Sequence, residues 1–171
     1  LVHVSTDYVF RGEGSAPISE CEAPAPKSVY GKTKLLGEEY VRQFCTRWFV
    51  VRTAWLYGYA GRNFVKTMVN AAKKNGSLLK LAVTKEYGVY HCTGGGVCSW
   101  YEFTKEIVRL AGLQAAVTPC TSAQYKAAHP AAADRPAWSA LDNRMLRCTV
   151  GDEMRPWQQA LAAFFENWNG E

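Results

Sequence analysis

Tyr30 and Lys34 stand four residues apart in Tyr30-Gly31-Lys32-Thr33-Lys34, a spacing that puts both side chains on one face of a helix. A phenol beside an ammonium is a workable proton-transfer pair. An unperturbed Tyr titrates near ~10, and a neighbouring positive charge favours its phenolate. Such a Tyr can give a proton to a carbonyl oxygen during reduction, or take one from an alcohol during oxidation. The same Y-x-x-x-K spacing also arises on helix faces that are simply solvated. Upstream, the apolar run Leu1-Val2-His3-Val4 gives way to Ser5-Thr6-Asp7. In open α/β sheets ligand chemistry sits just beyond the carboxyl ends of strands, where the hydroxyls of Ser5 and Thr6 could hydrogen-bond a carbonyl. Turn-forming residues without a catalytic task fit that stretch as well.

Positioning these groups requires strands and helices in alternation. Residues 1–10 read as a buried strand running out into a polar loop. Arg11 to Lys27 is rich in Gly, Pro, Ser and Glu, and its length suits a surface lid or crossing loop. A helix follows from Ser28, the N-cap, to Cys45, with Leu36, Tyr40 and Phe44 expected on its apolar face. Trp48 to Gly58 reads as a central strand, ended by Gly58 and Gly61. Asn63 can cap a helix that stops at Asn75-Gly76, and Leu78–Thr84 and Gly88–Thr93 read as further strands. Only Lys85-Glu86-Tyr87 separates those two strands, which would force a hairpin where a parallel sheet needs a crossover helix. Ser99-Trp100-Tyr101-Glu102 matches a capping box, and a last helix carries Trp157, Leu161, Phe164, Phe165 and Trp168 at helical spacing. The alternation predicts an α/β fold with a parallel sheet.

Composition bounds the functional classes. The chain has 171 residues, 48% of them hydrophobic, so it can bury a core and is not disordered. Its net charge of +5 (20 Lys and Arg against 15 Asp and Glu) is scattered. No basic stripe argues for nucleic acid, while an anionic small molecule suits the balance. Six cysteines form no C-x-x-C pair and the three histidines are far apart in sequence, so zinc-ligand spacing is absent and no metal site is expected. Reduced thiols are expected rather than disulfides. No apolar run approaches the ~20 residues of a membrane span, and the chain reads as soluble and cytoplasmic, with no membrane partner.

An ordered series of motifs then carries a resemblance. It runs through Ser5-Thr6-Asp7-Tyr8-Val9-Phe10, Tyr30-Gly31-Lys32-Thr33-Lys34 with Gly37-Glu38, Arg52-Thr53-Ala54-Trp55-Leu56-Tyr57-Gly58 and Asn63-Phe64-Val65. It continues in Cys98-Ser99-Trp100-Tyr101-Glu102-Phe103, Arg135-Pro136-Ala137-Trp138-Ser139-Ala140-Leu141-Asp142 and Pro156-Trp157. The series resembles the dTDP-4-dehydrorhamnose reductases, extended short-chain dehydrogenases/reductases. That resemblance implies a Rossmann-type parallel sheet carrying the Tyr/Lys pair over residues 1–76. Residues 77–171 would be mainly a small α/β substrate-binding region, interleaved with the first. It implies reduction of a dTDP-4-keto-6-deoxy sugar with NADPH or NADH. Tyr30 would be the proton donor, Lys34 would hold the nicotinamide ribose, and Thr6 would bond the reacting oxygen or Tyr30. Ser5, Thr53 and Ala54 would lie along the cofactor; Asp7, Tyr8, Trp55, Asn63 and Arg135 would serve the nucleotide sugar. Arg135 suits a diphosphate, although a surface salt bridge would explain it too. Members of the family can also form homodimers around magnesium. Related epimerases and dehydratases, and a regulatory subunit of methionine adenosyltransferase, share parts of the pattern.

Two departures stand beside the matches. The family's Gly-rich turn, which seats a pyrophosphate on a helix N-terminus, has no counterpart here; Gly94-Gly95-Gly96 reads as a turn. A βαβαβ half of the sheet, on the order of 100 residues, would precede Leu1 in the family, and a further family segment would fall near Lys85. These 171 residues are therefore expected to be the carboxyl part of a longer enzyme, unable alone to bind the cofactor.

Overall fold

The computed structural model describes residues 1–57, 84–128, 130 and 135–166. Three strands form one sheet in the order β1-β2-β3: β1 Val2–Thr6, β2 Phe49–Thr53 and β3 Gly88–His91. Both pairings are parallel, with Thr6 opposite Thr53 and Arg52 opposite His91. Every residue of β2 is buried, as expected of a parallel strand covered on both faces. β2 ends at Thr53, earlier than the sequence suggested; Trp55 turns away with φ 52°. That left-handed conformation is one that a bulky residue holds only when its surroundings enforce it.

Alternation along β2 divides the interior chemically. Phe49 and Val51 point to an apolar cluster with Tyr90, Cys92 and Leu146, flanked by Met145, Val150 and Met154. Leu146 comes from a short helix, α4 Arg144–Thr149, which the sequence reading missed, as it missed α3 Ser122–Ala128. Six or seven residues are too few to show a helical period. Residues of the opposite sheet face, Ser5, Arg52 and His91, are polar and buried. Covering that face is α1, Val29–Phe44, capped by Ser28, whose hydroxyl accepts from the Gly31 N–H at 3.0 Å. Both the cap and the extent match the expectation.

The expected apolar face of α1 does not. Leu36, Tyr40 and Phe44 are 44%, 53% and 73% exposed, whereas Gly31, Glu38 and Val41 are buried. The helix turns inward the face that supplies a partner for Arg52, because a buried cation unpaired costs more than an exposed aromatic row.

Contacts divide the chain into two units, Leu1–Thr93 with Arg135–Met154, and Gly94–Asp134 with Arg155–Glu171. The first contains the sheet, α1 and α4. In the second, α2 Trp100–Leu110 has the predicted capping box, with the Ser99 N–H donating to Glu102 at 2.7 Å. Phe103 of α2 packs on Trp157, which opens α5, Trp157–Glu166. The helix expected after Asn63 lies outside the described residues. So does the strand expected at Leu78–Thr84 except for Thr84, which is helical. All six cysteines are free thiols. Among the described residues no helix is long and apolar enough to cross a membrane.

Candidate active site

The carboxyl end of β1 leads directly into a 3-10 turn, Asp7–Val9, with Thr6 as its N-cap. The Thr6 hydroxyl accepts the Tyr8 N–H at 3.3 Å and donates to Asp7 Oδ1 at 2.9 Å. Asp7 is buried, and burial raises its carboxyl to about 6, against the pull of the Thr6 and Ser139 hydroxyls. Its other oxygen, Oδ2, has no well-formed hydrogen bond. A buried carboxylate oxygen left open in this way is suited to a ligand hydroxyl.

Helix α1 begins against this turn. Gly31 makes the approach possible: a Cβ there would overlap the Tyr8 carbonyl oxygen and lie 2.9 Å from Pro26 Cβ. Tyr30 thereby sets its ring edge-on to Tyr8, with centroids 5.6 Å apart, and stays 51% exposed. Burial pushes the Tyr8 phenol up, a shift that the nearby charge of Arg135 opposes. One turn on, the half-buried Lys34 donates from Nζ to the Val4 carbonyl at 2.6 Å. Burial lowers the Lys34 ammonium and the charge of Glu38 raises it. An ammonium has three donors, so the bond to Val4 leaves capacity for a ligand's hydroxyls.

Of the residues expected to form the site, Thr6, Asp7, Tyr8, Tyr30 and Lys34 gather around the carboxyl end of β1. Thr53 lies beside Thr6 in the sheet, and Ala54 and Trp55 follow it. Arg135 reaches the same region through its charge on Tyr8. Ser5 is engaged differently: its buried hydroxyl donates to Glu38 Oε1 at 2.6 Å. Asn63 lies outside the described residues. Sequence reasoning gave no role to Glu38 or Ser139. The signals for Glu38 were its place beside Gly37 in the motif series and its position four residues after Lys34, on the same helical face.

A phenol, an ammonium and a hydroxyl thus stand around one strand end, and comparisons with known proteins identify the family. The family model of the RmlD substrate binding domain matches residues 1–83 and 77–169. The chain belongs to this family. It is 37% identical over 184 residues to the spore coat polysaccharide biosynthesis protein SpsK of Bacillus subtilis, covering 96% of this chain and 63% of that protein. A solved dTDP-4-dehydrorhamnose reductase from Clostridium acetobutylicum superposes with TM-score 0.82 at 43% identity, over 96% of this chain and 64% of that one. Another, from Bacillus anthracis in complex with NADP, gives TM-score 0.80 at 36% identity over the same 96% and 64%. The chain thus spans just under two thirds of the length of these relatives. The expected family and the Rossmann-type α/β fold are borne out.

Proposed function

We propose that the protein of which this chain is part reduces a dTDP-4-keto-6-deoxy sugar, dTDP-4-dehydro-L-rhamnose, to dTDP-L-rhamnose with NADPH or NADH. The observation that carries this reading is the placement of Tyr30 and Lys34 on one face of α1, beside Thr6 and Asp7 at the end of β1. The reductase relatives and the NADP complex of the Bacillus anthracis enzyme support it.

Bound NAD(P)H would supply the hydride for C4 of the sugar. Tyr30 gives its phenolic proton to the ketone oxygen, and its exposure allows solvent to return one. Lys34, held on the Val4 carbonyl, presents its charge on the Tyr30 face, where it favours the phenolate left behind. Its remaining donors suit the hydroxyls of a nicotinamide ribose. Thr6 steadies the reacting oxygen or the phenol, and Asp7 accepts from a sugar hydroxyl through Oδ2. Tyr8 and Trp55 flank the sugar, and Arg135 supplies a cation for the diphosphate. A cytoplasmic homodimer belongs to the same reading. The exposed row of Leu36, Tyr40 and Phe44 supports the association, which sedimentation would test.

Tyr30→Phe in the full-length protein tests the chemistry. General acid catalysis contributes roughly 10²–10⁴-fold, so sugar-dependent NADPH oxidation should fall by at least about 10²-fold with cofactor binding retained. Unchanged turnover would remove Tyr30 from its role. No turnover in the unmutated protein would instead favour a binding or regulatory function.

A further inference from the structure

Beneath the candidate site lies a buried ionic cluster to which the reductase reading assigns nothing. Glu38, on the inner face of α1, accepts from Arg52 Nε at 2.9 Å and Arg52 Nη2 at 2.6 Å, a bidentate pair with both side chains out of solvent. It also accepts from the Ser5 hydroxyl at 2.6 Å and from Arg42 at 3.2 Å. The Arg52 guanidinium lies over the Phe10 ring, 5.0 Å from its centroid. These bonds join the three elements that carry the site. Lys34 grips Val4 and Glu38 grips Ser5, so two side chains four apart on α1 hold successive residues of β1, just before Thr6. Arg52 immediately precedes Thr53 on β2.

We propose that Glu38 is a positioning residue for the catalytic pair: locked onto Ser5 and Arg52, its carboxylate fixes α1 against the strand ends and places a counter-charge one helical turn from Lys34. The proposal rests on the reductase reading for its consequence in turnover, but not for its electrostatics. A buried ion pair is weak evidence of stabilisation, since an apolar pair of similar volume often serves as well; a pair retained beneath a functional lysine calls for another reason. Burial lowers the Lys34 ammonium, and the charge of Glu38 opposes that. Glu38 itself is pushed up by burial, yet the bonds and charge of Arg52, with Ser5 and Arg42, hold it below the usual carboxylate range. Among the described residues, the other titratable groups on this cluster are His3 from β1 and His91 from β3. Burial and neighbouring cations lower both imidazoles, so neither adds positive charge at neutral pH.

The test is Glu38→Gln in the full-length protein, with Lys34 followed by NMR titration of its isotope-labelled side chain, assigned with Lys34→Arg. The Lys34 midpoint should fall by about one pH unit, as expected for losing a carboxylate one helical turn away. The alkaline limb of kcat/KM should move down with it. Should Glu38→Gln fail to fold because Arg52 is stranded, Glu38→Gln with Arg52→Gln removes both charges and keeps amides in their place. The midpoint should then fall less than it does in Glu38→Gln alone, because the opposing charge of Arg52 leaves with the carboxylate. A lower melting temperature with an unmoved midpoint and an unmoved alkaline limb would make Glu38 purely structural and overturn the proposal. If the unmutated protein turns over no nucleotide sugar, the reductase reading fails, and the Lys34 midpoint still decides the role of Glu38.

Discussion

Asp7 shows how a short polar residue acquires a role from its surroundings. The family resemblance implied a substrate contact, but a turn residue would look identical in sequence. Burial is what changes its chemistry, raising the carboxyl from 3.8 to about 6. The consequence for stability has a definite sign. Between about pH 4 and 6 the folded chain holds a proton on Asp7 that the unfolded chain has released, so this group's contribution is fully present at low pH and is lost as pH rises through 6. Asp7→Asn is immune to that loss. Its melting temperature relative to the unmutated protein is expected to rise between pH 4 and 6.5, as thermal melts across that range would show. A flat difference would place Asp7 in water rather than in a buried site.

At the scale of elements, α1 is aligned by its polar inner face and by close approach at one glycine. The cap at Ser28 and the length of the helix were legible in the sequence, because capping and helix-forming residues act locally. Which face turned inward was not. Counting apolar residues pointed to Leu36, Tyr40 and Phe44, whereas the decisive interaction joins Glu38 to Arg52, a residue on another element. Gly31→Ala tests the docking. The added methyl would overlap the Tyr8 carbonyl, which cannot give way as a flexible side chain would. The helix start must therefore move off the Asp7–Val9 turn, at a cost of about 1–3 kcal/mol. Thermal melting should show that loss. Turnover should fall further than stability alone explains, because Tyr30 is displaced with the helix.

Across the first unit, long-range polar ties hold together segments that are distant in sequence. The Glu20 carboxylate accepts both the His91 and the Met145 N–H groups, at 3.0 and 3.1 Å. His91 Nδ1 lies 3.1 Å from the Ile18 carbonyl and 3.2 Å from that of Asp142. Burial, reinforced by the charge of Arg52, lowers His91 from 6.5 to about 4. Here the sign is opposite to that of Asp7. As pH falls from 6.5 to 4 the unfolded chain takes up a proton that folded His91 refuses, and stability is lost. His91→Asn should destabilise the protein at pH 7, with the penalty shrinking as pH approaches 4. Melts of both proteins across that range would detect it, and a constant penalty would contradict it.

Sequence alone determined the α/β class, the positions of β1, α1, β2, β3, α2 and α5, and the family. Periodicity, caps and ordered motifs are local, and local signals survive without a three-dimensional context. It also singled out Tyr30 and Lys34, because a helix makes residues four apart neighbours wherever it sits. Only the tertiary structure decided that the Ser5 hydroxyl donates to Glu38, that β2 ends at Thr53, and that a buried ion pair joins α1 to β2. Those outcomes depend on which residues of separate elements meet across the sheet. Such meetings are set by register and burial, neither of which is written in the spacing of any one segment.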